Sequence, residues 1–251
     1  MFTRLTREQQ LGLLVLLLLA VFFAGYFVQG NFQENGNGFF PGNGNSFEAR
    51  INIVAVTSQG TGEVNAGLVE IRPGSGRVLV STNPFVEPDT QFSFETAKAV
   101  GAAFAGVDLS NYDVVYSVTD TRSLLVGGAS AGAAFGVATV VALQGNSIRS
   151  DAAITGSLDG LGRIGPIGGV LEKMIAFGES GGKLFLVPPG QGNLTYFTEE
   201  IVGEELQGPY VVKRIRIVGK PLNLNEYAQQ NYGMRVIEVA TLDEAVGFLT
   251  A

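Results

Sequence analysis

The chain has no histidine, no cysteine and no tryptophan. Without imidazole or thiol, neither a Ser-His-Asp triad nor a Cys-His pair can form. Zero cysteine also excludes disulfides and thiolate metal sites, and it leaves the redox compartment undecided. Charge is sparse, at 16% of residues with a net charge of -7 at pH 7. That surplus of negative charge argues against nucleic acid as a partner, because phosphates need a basic face. The basic cluster Lys213, Arg214, Arg216 and Lys220 reads as a solvated strand face or as a surface for an acidic neighbouring subunit. No metal cluster is visible. Gly127 and Gly132 have the spacing of a phosphate loop, but Ala133 stands where its lysine is needed. No metal and no cofactor are expected.

With 251 residues and 46% hydrophobic content, the chain can bury one substantial core and carry an appendage. Residues 1-10 read as a cytoplasmic tail. Residues 11-28 form an uncharged apolar run, long enough to cross a bilayer core and longer than a usual signal-peptide core. Arg4 and Arg7 precede the run and the next basic residue is Arg50, so the positive-inside rule keeps the N-terminus cytoplasmic and places the rest outside the cell. A cleaved signal peptide is the competing reading, weakened by the lack of an Ala-x-Ala site. Residues 29-47 are a tether: ten of the 17 residues from Gly30 to Ser46 are Gly or Asn, too few of them apolar to fold.

Residues 48-251 form the folded domain. Strands are predicted at Ile51 to Val56, Gly67 to Ile71, Arg77 to Ser81 and Tyr112 to Val118, with turns at Gly60 to Asn65 and Pro73 to Gly76. Asp89-Thr90 caps a helix from Phe92 to Phe104. Further on come a helix at 130-144, a strand at 151-156, a helix from 169 to about 180 and a strand at 183-187. The tail adds strands at Val211 to Val218 and Arg235 to Val239, Asn-rich turns between them and a helix from Leu242. Glu199, Glu200, Glu204 and Glu205 look like a solvated helix face. Alternating strands and helices indicate a mixed α/β fold. Asn193-Leu194-Thr195 is a glycosylation sequon, usable if the domain is outside.

Gly128-x-Ser130-x-Gly132 matches a nucleophile elbow, with a serine on a tight turn before a helix. With no histidine, the base left for that serine near neutral pH is a lysine whose charge is disfavoured by burial. Lys173 is the best placed, because Gly169, Val170, Ala176 and Phe177 surround it at helical spacing and carry no charge. Lowering a lysine from about 10.4 to near 7 costs on the order of 4 to 5 kcal/mol, which full desolvation can supply. A Ser130 that starts a helix has free backbone N-H groups and the helix dipole beside it, suited to an oxyanion. The plainer readings stay open: a serine N-cap, a solvated lysine and a Thr155 that only faces a strand neighbour.

Gly127-Gly128-Ala129-Ser130-Ala131-Gly132, Asp151 to Gly156 and Gly162 to Lys173 together resemble the proteolytic domain of the Lon peptidase family. The resemblance covers roughly residues 50 to 251 and is greatest to archaeal membrane-anchored members without an ATPase module, for which the sequence leaves no upstream room. It implies Ser130 as nucleophile, Lys173 as general base and Thr155 as the hydroxyl that orients the lysine, with Gly128, Ala129 and Gly132 supporting the serine turn. It also implies polypeptide substrates and a homo-oligomer, with a hexameric ring as the family form. Two positions depart from the family pattern: Gly127, where many members carry an acid, and Ser157, where they carry glutamate. The expected protein is a membrane-anchored, ATP-independent serine endopeptidase. A signal-peptidase-like processing enzyme and a catalytically silent scaffold of the same fold are the alternatives.

Overall fold

The computed structural model describes residues 46-121, 123-207 and 210-250. The tail at 1-10, the apolar run at 11-28 and nearly all of the tether lie outside these residues. Among the described residues no helix is long and apolar enough to cross a membrane.

The first half of the domain runs β1 (Phe47–Val56), β2 (Gly62–Pro73), β3 (Val78–Val80), β4 (Phe85–Val86), α1 (Pro88–Ala105), β5 (Tyr112–Thr119), β6 (Leu125–Val126), a 3-10 turn (Ala129–Ala131) and α2 (Gly132–Gln144). The second half runs β7 (Ala152–Ile154), β8 (Ser157–Leu158), β9 (Ile164–Gly165), α3 (Val170–Glu179), β10 (Leu184–Val187), β11 (Asn193–Gln207), β12 (Tyr210–Asn223), α4 (Leu224–Tyr232), β13 (Arg235–Glu238) and α5 (Leu242–Leu249). The central sheet has the order β13-β10-β7-β1-β2-β5-β3. It is mixed: β1 pairs antiparallel with β2 and parallel with β7, which in turn runs parallel to β10. The mixed α/β expectation holds.

Helices cover both faces of this sheet. A Cβ on Gly67 of β2 would meet Phe135 of α2, whereas one on Gly62 would meet the Glu172 carbonyl and Ala176 of α3. Positions 62 and 67 have opposite parity, so on a pleated strand they face opposite ways. α2 and α3 therefore lie on opposite faces. Under α2 the core is aromatic: Phe94 stacks on Tyr116 at 4.8 Å, and Phe135 meets both rings edge-on. The Tyr116 hydroxyl, buried there, is paired with Thr139 at 2.9 Å. Burial pushes its pKa well up. Under α3 the core is Val54, Val170, Met174, Phe177 and Phe185, closed by Leu224 and Ala228 of α4.

Several boundaries differ from the sequence reading. The turn predicted at Gly60 to Asn65 is mostly strand, since β2 begins at Gly62 and pairs with β1 throughout. Glu199, Glu200, Glu204 and Glu205 are not on a helix but on β11 of a long hairpin, where Glu204 pairs with Lys213, Glu205 with Arg214 and Glu200 with Lys220. The basic cluster is thus largely neutralised by its own hairpin partner. The Asn-rich turn is the start of α4: the Asn223 side chain accepts from the Glu226 N-H as an N-cap.

Candidate active site

The nucleophile-elbow pattern folds as expected in outline, with one change. α2 begins at Gly132, and Ser130 sits in the middle of the 3-10 turn before it. Each glycine of the pattern has its own reason. Gly128 has φ 94 and ψ 146, a backbone open essentially to glycine alone. Gly132 is ordinary helix in its dihedrals, but a Cβ there would come 3.1 Å from the Leu158 nitrogen of β8. Ala129 accepts from the Gly132 N-H and closes the turn.

Three contacts hold this turn to the chain after β7. The Gly156 N-H donates to the Ser130 carbonyl at 2.9 Å, and the Ala133 N-H donates to the Gly156 carbonyl at 3.0 Å. The Thr155 hydroxyl, 1% exposed, donates to the Ser130 carbonyl at 3.4 Å. The same Thr155 hydroxyl accepts from the Lys173 ammonium at 3.4 Å. Ser130 arrives from one face of the sheet on the turn that leads into α2, and Lys173 from the other on α3. They converge just past the carboxyl end of β7, where open α/β sheets place their ligands.

Lys173 is 4% exposed. Burial lowers its pKa to about 8, with Glu172 next to it opposing the shift. Ser130 and Lys173 line one cavity of about 510 Å³ with Gly127, Gly128, Ala129, Ser157, Ile167 and Gly169. Glu63 and Asn65 of β2 line it too. A half-buried alcohol at a helix start and a buried amine of lowered basicity in one pocket can carry out nucleophilic acyl chemistry with the amine as base. Among the described residues no group of acidic side chains could hold a metal ion.

The sequence reading missed the support behind the loop. Asp89 and Thr90, read as helix caps, instead grip the serine loop: the Thr90 hydroxyl donates to the Gly128 carbonyl at 3.0 Å, and the Gly128 N-H donates to the Asp89 carboxylate at 3.3 Å. α1 itself starts with Pro88, and its N-cap, Glu87, makes no capping bond with its side chain. Glu87 turns toward the loop, where its carboxylate fills the space a side chain on residue 127 would take, 2.0 Å from an ideal Cβ. The acid absent at position 127 therefore has a neighbour of the same chemistry supplied by α1. Ser157 abuts Gly165, whose Cβ would lie 2.6 Å from the serine hydroxyl. The signal that could have pointed to this support was Pro88: at the first helical position it moves Asp89 and Thr90 inside the helix.

This mixed α/β domain brings a serine turn and a buried lysine to one cavity, with a buried threonine bonded between them and no imidazole available. Residues 117–211, which contain all three side chains, match the family model of the Lon protease (S16) C-terminal proteolytic domain. The match sustains the resemblance read from the motifs: this segment is similar to a Lon-type proteolytic domain. The chain is 29% identical over 143 residues to the archaeal Lon protease of Archaeoglobus fulgidus, covering 55% of this chain and 22% of that protein. It is 39% identical over 115 residues to the Lon protease of Erwinia amylovora, covering 45% of this chain and 14% of that protein. With the Lon protease of Escherichia coli K12 it shares 44% identity over 61 residues, 24% of this chain and 8% of that one. The chain thus spans less than a quarter of the length of these relatives.

Proposed function

We propose that the chain is a serine endopeptidase in which Ser130 attacks a peptide carbonyl and Lys173 takes its proton. Thr155 orients the lysine, backbone N-H groups at the start of α2 hold the tetrahedral oxyanion, and water resolves the acyl-enzyme. The observation that carries this reading is the burial of Lys173 in the cavity that Ser130 lines, with Thr155 bonded to both. Relatives named Lon proteases support the same reaction class. The substrates are polypeptides, taken as unfolded chains or loops. No nucleotide takes part, since no phosphate-binding lysine follows the glycines at 127 and 132.

The chain is anchored in the cell membrane by residues 11-28, with the peptidase domain outside and several copies assembled around the site. The apolar run and the arginines before it support the anchor. A fluorophosphonate probe tests the chemistry: labelling of the wild type should vanish in both Ser130→Ala and Lys173→Ala. Unchanged labelling in either variant refutes the assigned role. Protease treatment of intact cells tests the topology, because a domain inside the cell would survive it.

A further inference from the structure

β2 places one side chain in the cavity whose chemistry the proposed mechanism leaves unused. Asn65 is 4% exposed, yet its carboxamide oxygen has no hydrogen-bond partner. It lies opposite Ile53 in the sheet, two residues before Gly67 and so on the same face, the one against which Phe135 of α2 packs. Asn65 therefore rises from the sheet on the side that carries the serine turn, and it lines the cavity with Ser130 and Lys173. It also lies outside residues 117–211, the segment with a family match.

A buried acceptor without a donor is costly, and buried polar groups are otherwise nearly always paired. Here an apolar residue of similar size would fill the same space without that cost. The group that enters the cavity under the proposed mechanism is a polypeptide main chain, which carries an N-H at every non-proline residue. Asparagine's terminal torsion is broad, so turning the oxygen into the cavity is a soft motion. We propose that Asn65 is a substrate anchor whose carboxamide oxygen accepts one main-chain N-H of an extended polypeptide bound across Ser130. The bond forms only in the complex, so it contributes to binding the peptide rather than to the proton transfer itself.

This inference rests on the peptidase reading, and the experiment separates the two. A set of peptide substrates, each N-methylated at a single main-chain nitrogen, is compared on the wild-type full chain and on Asn65→Ala. In the wild type, methylation at one position should raise KM by about five- to tenfold, the worth of one hydrogen bond. Asn65→Ala should raise KM for the unmodified peptide by a similar factor and be insensitive to methylation at that same position. Effects that add at every position overturn the proposal. So does a wild type indifferent to methylation throughout, a result that does not depend on the variant folding. A fluorophosphonate, which has no main chain, reads Ser130 and Lys173 alone. Its failure to label the wild type overturns the peptidase reading and the anchor with it, whereas normal labelling without any coupling to Asn65 overturns the anchor only.

Discussion

The pH dependence of labelling at Ser130 is the sharpest measure of the mechanism, because it reads the protonation of one buried amine. Lys173 must be neutral to accept the serine proton. With its pKa lowered to about 8 by burial, roughly a tenth of the molecules hold it neutral at pH 7. A solvated lysine near 10.5 would be neutral in only about 0.03% of molecules, some 300-fold fewer. The shift corresponds to on the order of 3 kcal/mol held against the charged form. The rate of fluorophosphonate labelling should therefore rise about tenfold per pH unit below 7, bend near pH 8 and be level by pH 9. The same burial sets a stability trend of known sign. The folded pKa is below the unfolded one, so between about pH 8 and 10.5 the unfolded chain binds more protons and stability should rise with pH across that window. A labelling profile that is flat from pH 6 to 9, or one still climbing at pH 10, refutes the claim that a desolvated Lys173 is the base.

Two further outcomes follow from the contacts around the turn. Thr155→Val keeps the shape of the side chain but removes both its bond from Lys173 and its bond to the Ser130 carbonyl. Both bonds are long, so the loss should be modest, about 1 to 2 kcal/mol, read as roughly a 5- to 30-fold slower labelling rate. A change below twofold would mean that the threonine orients nothing. Gly128→Ala forces a side chain into a backbone region at φ 94 that L-residues rarely adopt. Strain on the order of 1 to 3 kcal/mol should lower the melting temperature and slow labelling together, and a variant as stable and as fast as the wild type would show that the loop does not need this conformation.

The parts of this domain that were legible in the sequence are those whose signals are local. The run from Ala133 to Leu143 reads as a buried helix because almost every residue is small or apolar, and α2 is buried from Gly132 to Leu143. Its start was misplaced by two residues, because Ser130 looks like an N-cap, whereas the helix begins at Gly132, whose Cβ position lies tight against Leu158. The hairpin defeated the reading for a different reason. Its acids fall in adjacent pairs, at 199-200 and 204-205, which resembles helical spacing, and the shift in register between Ile201 and Gly203 hides the alternation that marks a strand.

What lay beyond reach was everything that depends on two distant segments meeting. Pro88 marks where α1 starts, but it does not name the loop at Gly127 and Gly128 as what Asp89 and Thr90 will hold, because those contacts exist only once α1 packs beside α2, with Gly101 close against Thr139. The same holds for Asn65, whose cavity is lined by strand, loop and helix residues from separate stretches of the chain. A serine and a lysine can be matched to a motif, but the burial that lowers the basicity of the lysine belongs to the assembled sheet and its two helical layers. That is why the pH profile, and not the presence of the two residues, decides whether this site performs hydrolysis.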